Sequence, residues 1–332
     1  MSESTTPVSA STTCSYTLRS GETCAHPRYA SEDLCFWHSR SADKSSDDIK
    51  QQLEEMCKRG DNLEGFQLKG VNLYDAFLIK GKMKDVNLTR ANIEKGHLFN
   101  IDLEGADLFK TSFMNSNLKH ANLKDANVLG TQFNEAKLGR INWGPHEKLQ
   151  SEIKGRIALK KGDREEAMKQ FLEAEESYRD IKNNYKDRGI ATQGGKFFYR
   201  EMIMKRLQLP MLSLERFYSL LLDLACGYGE KPFRIISFSI GVILLNAVIY
   251  GSIGLDFSGT TMQFSTTQSV IENVLTYLNA CYFSVVTFTT LGFGDFLPIS
   301  VAERLIAGIQ AYMGAFLMSL FVITVYKNMM ER

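Results

Sequence analysis

The chain has 332 residues, a length that suits two or three domains. Its formal net charge of +1 and isoelectric point near 7.6 exclude a strong overall attraction to nucleic acid. Mean hydropathy is slightly negative and the apolar residues concentrate after residue 235, so a polytopic transporter is excluded as well. We expect a mostly soluble protein with a short membrane part near its C-terminal end.

Two polar stretches near the N-terminus are expected to lack regular structure. Residues 1–12 are rich in serine and threonine and hold no apolar segment of a secretory signal, so we predict a disordered tail. Residues 41–60 begin with a run of serine and aspartate, and we predict a solvated linker there.

Three cysteines and one histidine lie close together in residues 13–40: Cys14, Cys24, Cys35 and His38. So short a segment with little apolar content cannot fold on a core of its own, and metal ligation is the usual remedy. Three thiolates and an imidazole complete a tetrahedral Zn²⁺ site without an open position, which predicts a structural role. The array resembles small Cys3His zinc knuckles. His26 is a competing ligand, and free thiols in a reducing compartment are the alternative.

A five-residue period dominates residues 61–143. An apolar residue recurs at every fifth position without an insertion, and a small or aliphatic residue commonly stands two positions before it. The sixteen apolar positions are Leu63, Leu68, Leu73, Leu78, Met83, Leu88, Ile93, Leu98, Leu103, Leu108, Phe113, Leu118, Leu123, Val128, Phe133 and Leu138. A period of five fits neither an amphipathic helix nor an alternating strand. It fits a square solenoid with one repeat per side and about twenty residues per coil.

This pattern resembles the pentapeptide-repeat family, which implies a right-handed quadrilateral β-helix. The apolar and small residues would face inward, and the intervening Asn and Asp residues would cap the turns. Some family members imitate DNA with an acidic surface. Residues 61–143 hold nine Lys and two Arg against six Asp and four Glu, which excludes that role. Because uncovered coil edges tend to pair, we expect the cysteine segment or downstream helices to cover the ends.

Residues 146–231 are predicted to be helical, since they are rich in Lys, Glu, Gln and Leu and lack strand alternation. Some of their small and apolar residues fall at offsets that resemble a tetratricopeptide unit. These positions are Gly155, Ala167, Phe171 and Ala174. We predict a TPR-like helical connector whose apolar side chains form a core, with a peptide-binding groove as the alternative.

Two apolar runs, at residues 235–253 and 305–326, are predicted to cross a membrane. An amphipathic run at residues 214–224 is expected to lie along the membrane surface before the first span. Lysine and arginine cluster before the first span and after the second, which places both termini in the cytoplasm. We therefore predict a multi-pass protein of the plasma membrane.

The segment between the spans contains a short amphipathic run, predicted to be a re-entrant helix at residues 275–288. It continues into Thr289, Thr290, Leu291, Gly292, Phe293, Gly294 and Asp295. A loop that replaces the water shell of a cation must point successive backbone carbonyls toward one axis. That arrangement needs alternating backbone twist, which glycine adopts without a Cβ penalty. Gly292 and Gly294 supply the alternation.

The order of span, re-entrant helix, glycine loop and span resembles the pore module of two-span potassium channels, over residues 232–332. The resemblance implies an all-α pore of four identical chains, because one filter segment per chain cannot surround an ion. It also implies K⁺ ions bound along a filter at residues 290–294, formed by Thr290, Leu291, Gly292, Phe293 and Gly294. Phe293 replaces the more common Tyr and is an accepted variant, so potassium selectivity is expected to hold.

Four further residues are predicted to support the filter: Thr289, Tyr282, Phe283 and Asp295. Asp295 would lie behind the outer mouth of the filter. Phe283 stands where the family often has Trp, so we expect it to make an apolar contact with Phe293. The Glu that pairs with the filter Asp in some relatives is absent, and Tyr282 is the expected partner of Asp295 instead.

In the second span, Gly314 lies where the resemblance places a gating hinge. Glycine permits bending, and a small residue for close helix packing is the alternative interpretation. Met318, Val322 and Tyr326 follow at four-residue steps and are predicted to line the pore wall.

These observations predict a homotetrameric, potassium-selective channel. Its gate or its assembly would be controlled through the N-terminal cytoplasmic region by an unknown ligand or partner protein. A membrane-anchored scaffold with a degenerate pore and a poorly selective cation channel are the alternatives. No nucleophile–base pair or metal-plus-water constellation points to an enzyme, and no nucleic-acid partner is expected.

Overall fold

The computed structural model describes residues 13–257 and 259–330. The chain divides into two compact units, an N-terminal unit that ends at Leu209 and a C-terminal unit that begins at Pro210. The tail predicted to be disordered, residues 1–12, lies outside the described residues.

The cysteine segment folds onto the first coil of the solenoid. Isolated antiparallel bridges, such as the one from Thr13 to Pro27, hold the segment together. The backbone N–H of Gln67 donates to the carbonyl of Trp37 at 2.8 Å, and the Trp37 ring stacks on Phe66 with centroids 5.2 Å apart. The Arg19 guanidinium pairs with Asp85 on the solenoid. Hydrogen bonds, ring stacking and charge therefore all attach this segment to the solenoid.

The prediction of a linker at residues 41–60 is wrong for its second half, which forms helix α1 (Asp48–Arg59). Ile49, Leu53 and Cys57, at four-residue steps, are buried on one face of the helix. Its Lys50 donates to the Tyr74 carbonyl at 2.7 Å. The prediction rested on the polar residues at the start of the stretch and overlooked the three apolar residues that follow at helical spacing. The helix therefore helps to cover the N-terminal edge of the solenoid, as edge backbone groups require.

The solenoid has twenty residues per coil, since parallel bridges join residues twenty positions apart, from Asn62–Lys82 to Asn122–Asn142. All sixteen predicted interior positions are buried. The Asn and Asp side chains between them cap turns and also bond to each other from coil to coil. Asn122 Nδ2, for example, donates to Asp102 Oδ1 at 2.8 Å. The right-handed sense of the coil stays a prediction.

Charged side chains also stack along the solenoid. Glu104 lies between Lys84 and Lys124 of the neighbouring coils, at 3.1 and 2.9 Å from their Nζ atoms. These two ammonium groups lower the pKa of Glu104 to about 2. The coils are thus joined by side-chain contacts in addition to the backbone bridges.

A short 3₁₀ helix (Pro145–Glu147) and three α-helices follow the last coil. The α-helices are α2 (Gln150–Lys160), α3 (Arg164–Asp187) and α4 (Ala191–Gln208). They cover the C-terminal end of the solenoid. Tyr185 of α3 donates to the Leu138 carbonyl at 2.9 Å and stacks on Phe197 of α4 with centroids 5.6 Å apart. A helical connector is observed, and its TPR-like character stays a prediction.

Within residues 210–257 and 259–330, the C-terminal unit contains four helices and a small sheet. The helices are α5 (Leu214–Cys226), α6 (Pro232–Ile253), α7 (Val270–Phe288) and α8 (Val301–Met330). The strands are β1 (Leu255–Phe257), β2 (Thr260–Met262) and β3 (Phe296–Pro298), which pair antiparallel in the order β2-β1-β3. Helix α6 and residues 301–327 of α8 are long and apolar enough to cross a membrane.

Helices α6, α7 and α8 extend beyond their predicted limits because the residues that start them lie outside the apolar runs. Helix α6 begins at Pro232, which suits a first helical turn. Helix α7 begins five residues before the predicted position 275, where Ser269 and Glu272 form a capping box. In the first turn of α8, the Glu303 carboxylate accepts from the backbone N–H of Ser300, the residue just before the helix, at 2.9 Å.

Replacement of Leu53 tests whether α1 is a docked helix. Leu53→Ala should lower the free energy of unfolding of the N-terminal unit by about 2–5 kcal/mol, because it leaves a cavity under a fully buried side chain. Urea titration of the full chain checks this, since both tryptophans, Trp37 and Trp143, lie in that unit. The exposed neighbour variant Gln51→Ala should change stability by less than about 0.5 kcal/mol. Equal effects of the two substitutions would contradict the docked helix.

Candidate functional site

The glycine loop between α7 and β3 has alternating backbone twist. Thr290, Gly292 and Gly294 have φ of +58°, +58° and +77°, whereas the intervening Leu291 and Phe293 are not left-handed. This alternation turns successive carbonyls in a way that a uniform strand or helix cannot. The sequence predicted the alternation at the two glycines but not the positive φ of Thr290, since threonine rarely adopts that conformation.

The end of α7 fixes where the loop begins. The backbone N–H of Thr290 donates to the Thr287 carbonyl at 3.1 Å, and that of Leu291 donates to the Val286 carbonyl at 3.0 Å. The Thr289 hydroxyl donates to the Val285 carbonyl at 2.8 Å, so this residue closes the helix. Thr289 therefore ties the start of the glycine loop to the end of α7.

On its outer side the loop is held by the small sheet. The Asp295 carboxylate accepts from the backbone N–H of Phe296 at 3.1 Å, and the Tyr282 ring lies edge-on to the Phe296 ring with centroids 5.8 Å apart. Tyr282 as the partner of Asp295 stays a prediction. The Phe296 ring stacks on Phe257 of β1 with centroids 4.7 Å apart. Because β3 pairs with β1, the segment after the glycine loop is tied to the end of α6.

The predicted contact between Phe283 and Phe293 is not made within the described residues of one chain. Phe283 is buried and packs edge-on against Tyr250 of α6, with centroids 4.9 Å apart. The Phe293 side chain is 67% exposed. Phe283 faces α6 because that side of α7 forms a hydrophobic core with α6. The sequence motif does not specify this packing.

A buried polar chain joins helices α6, α7 and α8. Tyr250 of α6 donates to Gln310 Oε1 at 2.7 Å, and Gln310 Nε2 donates to Ser284 Oγ of α7 at 2.7 Å. Ser284 in turn donates to the Ile243 carbonyl at 2.8 Å. Sequence reasoning missed this network. Its one signal was Gln310, a polar residue inside an apolar span, since such residues are costly unless they have partners.

Gly314 lies against the end of α7, inside an unbroken α8. A Cβ atom built on this glycine would stand 1.9 Å from the carbonyl oxygen of Phe288. Close packing is therefore an observed role of Gly314, whereas a hinge stays a prediction. Met318, Val322 and Tyr326 are exposed on one side of α8 in the single chain.

A separate cluster in the N-terminal unit has the donors of a metal site. Cys14, Cys24, Cys35 and His38 are all buried, and their ligand atoms lie within 4.8 Å of one another. The Sγ atoms of Cys24 and Cys35 are 3.9 Å apart. Two thiolates on one tetrahedral zinc, each at about 2.3 Å, lie roughly 3.8 Å apart. The donor set and this sulfur–sulfur distance therefore fit a tetrahedral metal ion.

The surroundings of His38 orient its ring toward the cluster. Its Nε2 is 2.8 Å from the Glu64 carbonyl, to which it donates, and this leaves Nδ1 as a free ligand atom 3.2 Å from Cys35 Sγ. The Tyr16 ring stacks on the imidazole with centroids 3.9 Å apart. Burial raises the pKa of the Cys24 thiol to about 12. His26, the competing candidate, is not in the cluster and lies edge-on to the Phe66 ring.

Two family models match the chain in separate regions. Residues 238–331 match the model described as ion channel, and residues 101–140 match eight copies of the pentapeptide repeat. The first match runs from α6 to the end of α8, and the second lies within the solenoid. Among curated proteins, no sequence matches the chain.

The solved structures similar to this chain include three pentapeptide repeat proteins. HetL, involved in heterocyst differentiation regulation in the cyanobacterium Nostoc sp., is 26% identical over 25% of this chain and 38% of its own, with a TM-score of 0.24. A thylakoid lumen protein of Arabidopsis thaliana is 15% identical over 30% of this chain and 57% of its own, with a TM-score of 0.16. A protein of the cyanobacterium Cyanothece is 24% identical over 25% of this chain and 56% of its own, with a TM-score of 0.14. The matches thus span 38–57% of the length of these structures.

Replacement of Gly314 tests the close contact beneath the loop. Gly314→Ala should destabilise the C-terminal unit by about 1–3 kcal/mol, because the added methyl group meets backbone atoms of Phe288. Thermal unfolding followed by the helical circular dichroism signal measures this, with tryptophan fluorescence as the reference for the N-terminal unit. Gly308→Ala, on the same helix with no described atom within 4 Å of its added Cβ, should be neutral or slightly stabilising. Equal melting temperatures of the two variants would disprove the contact.

Proposed function

We propose that this chain, which carries an ion channel domain and pentapeptide repeats, is one subunit of a potassium-selective channel. The observation that carries the proposal is the alternation of positive φ at Thr290, Gly292 and Gly294. Carbonyls arranged by such alternation can replace the hydration shell of K⁺. The filter would consist of residues 290–294, and the Thr290 hydroxyl would be the ion ligand at its cytoplasmic end.

The exposure of the loop supports an assembly of four chains. Leu291 and Phe293 are 61% and 67% exposed, and a Cβ on Gly292 or Gly294 would meet no described atom within 4 Å. Irregular backbone at membrane depth is tolerated only where protein encloses it or a wet path runs beside it. Four copies around one axis supply both conditions, as closed symmetry allows. The exposed side of α8 with Met318, Val322 and Tyr326 would then line the inner pore.

The cytoplasmic ends of the two spans offer a route for gating. Lys327, near the end of α8, pairs with Glu230, which stands just before α6. On the other side of this bend, Arg234 donates to the Asp223 carbonyl of α5 at 2.7 Å. A ligand or partner of the N-terminal unit could therefore act on the pore by moving α5, with both termini in the cytoplasm and the spans in the plasma membrane.

We also propose that the cysteine cluster holds a structural Zn²⁺ ion. The donors would be the thiolates of Cys14, Cys24 and Cys35 and Nδ1 of His38. Zinc bound there would hold together a segment whose core is otherwise small. The same segment contacts the first coil, so the metal would also stabilise the N-terminal end of the solenoid.

Ion flux into liposomes tests the channel proposal. The reconstituted full chain should carry potassium current that barium blocks and that stops when sodium replaces potassium. Gly292→Ala should reduce the flux by about tenfold or more, because positive φ costs a residue with a Cβ roughly 1–2 kcal/mol. Gly241→Ala in α6, where an added Cβ meets no described atom within 4 Å, is the control and should conduct normally.

The outcomes separate the three candidate functions. Equal sodium and potassium flux would indicate a poorly selective cation channel and contradict the filter proposal. A folded protein without flux, whose Gly292→Ala variant is indistinguishable from it, would support the membrane-anchored scaffold.

Metal analysis tests the zinc proposal. The purified chain should hold one zinc ion, and Cys35→Ser should lose it, because three ligands bind zinc more weakly than four. Loss of zinc should expose Trp37, which is 5% exposed, and shift its emission to longer wavelength. Cys281→Ser, a cysteine outside the cluster, should keep the zinc. Equal zinc content in both variants would contradict the assignment of these ligands.

A further inference from the structure

We infer that a cleft between the last solenoid coil and helix α3 is a binding site for Ca²⁺. The cleft has a volume of about 460 Å³. Its walls are residues 130–135 of the solenoid and one face of α3. The lining side chains that carry charge or an amide include Glu135, Glu176, Asp180, Asn183, Asn184, Asp187 and Arg188. This site is separate from the proposed filter and from the cysteine cluster.

The charge of the cleft is strongly negative. Four carboxylates and a single arginine line it. Glu176, Asp180 and Asp187 stand four and seven residues apart, which puts them on one face of α3. Like charges at four-residue spacing destabilise a helix. A bound cation would remove that repulsion.

Two cations of α3, Arg179 and Lys182, pair with carboxylates away from the cleft. Lys182 pairs with Glu201 of α4 at 2.8 Å, and Arg179 pairs with Glu175 and Glu201. Within the part of the chain that the structure describes, Glu176, Asp180 and Asp187 have no salt bridge. The carboxylates that face the solenoid are therefore left with little compensating charge.

The C-terminal end of α3 adds to the negative potential. Asp187 is the last residue of the helix, where unpaired carbonyls already carry partial negative charge. An aspartate at this position is unfavourable for an isolated helix. Arg188 offsets part of this charge: its guanidinium donates to the Glu135 carbonyl at 3.1 Å and lies 3.9 Å from the Glu135 carboxylate on the solenoid wall. The three carboxylates of α3 are left without such a pair among the described residues.

A buried orphaned oxygen in the same cleft points to a ligand. Asn184 is only 6% exposed, and its Nδ2 donates to the Phe133 carbonyl of the solenoid. Its Oδ1 is buried and has no hydrogen-bond partner among the described residues. An unpaired buried acceptor costs about 1–3 kcal/mol, so a native structure normally supplies a donor or a cation for it.

The chemistry of the lining selects the kind of cation. The charged donors are carboxylates and the orphaned atom is an amide oxygen, whereas thiols and imidazoles are missing from the described lining. Oxygen donors of this kind suit hard cations. Ca²⁺ accepts six to eight oxygens in irregular geometry and tolerates a roomy site, while Mg²⁺ requires a tight octahedron. Bound Ca²⁺ would join the last coil to α3 and stiffen the N-terminal unit.

Calorimetric titration of the zinc-loaded full chain with CaCl₂, in potassium chloride buffer, tests the inference. We expect saturable binding of one Ca²⁺ per chain outside the pore, with a higher melting temperature by tryptophan fluorescence. Asp180→Asn should weaken binding by about tenfold, because it removes one charged ligand. Without calcium the same variant should melt at or above the temperature of the original chain, since it relieves repulsion with Glu176. Glu165→Gln, an exposed carboxylate in the first turn of α3, is the matched control and should bind Ca²⁺ normally.

Several outcomes would overturn the inference. These are an absence of saturable Ca²⁺ binding, equal weakening by Asp180→Asn and Glu165→Gln, or tighter binding of Mg²⁺ than of Ca²⁺. A second variant, Asp187→Asn, controls for an effect of Asp180 alone. It should also weaken Ca²⁺ binding, because Asp187 lines the same cleft. None of these measurements requires ion flux, so they are independent of the proposed pore function.

Discussion

The glycine loop has left-handed backbone at Thr290, Gly292 and Gly294, and the neighbouring elements of the C-terminal unit hold it in that conformation. Such backbone has no hydrogen-bonded ladder of its own and persists only when neighbours fix both of its ends. Helix α7 fixes the first end through the bond from Leu291 to the Val286 carbonyl. Strand β3 fixes the other end through its pairing with β1. Gly314 allows α8 to approach directly beneath, where any larger residue would collide with the end of α7.

In the N-terminal unit, the two end coils of the solenoid need other segments to pair with their open edges. Parallel coils satisfy each other's backbone groups, but the first and last coils expose unpaired N–H and C=O groups. Helix α1 and the cysteine segment meet this requirement at one end, and α3 meets it at the other. Phe77, for example, donates its backbone N–H to Glu54 of α1 at 2.9 Å. At the last coil, Tyr185 and Asn184 of α3 donate to solenoid carbonyls.

The two metal sites that we propose lie at these two ends of the solenoid. At the first coil, the Glu64 carbonyl accepts from His38 and thereby orients a metal ligand. At the last coil, the Phe133 carbonyl accepts from Asn184, which leaves the other atom of that amide without a partner. In both places an end of the solenoid positions a side chain whose remaining polar atom suits a cation. Metal binding would therefore act on the ends of the solenoid, where its stability depends on other segments.

The sequence by itself determined the features that depend on local spacing. A five-residue period defines which side chains face inward in the solenoid, and a long apolar run defines a span, because both are read along the chain. The helix at residues 48–59, the Tyr250–Gln310–Ser284 network and the inward position of Phe283 were decided by tertiary structure. Each of them depends on a partner far away in sequence, and no short pattern specifies that partner. Positive φ at Thr290 has the same origin, since only the anchors on both sides of the loop hold a threonine in a conformation that it rarely adopts alone.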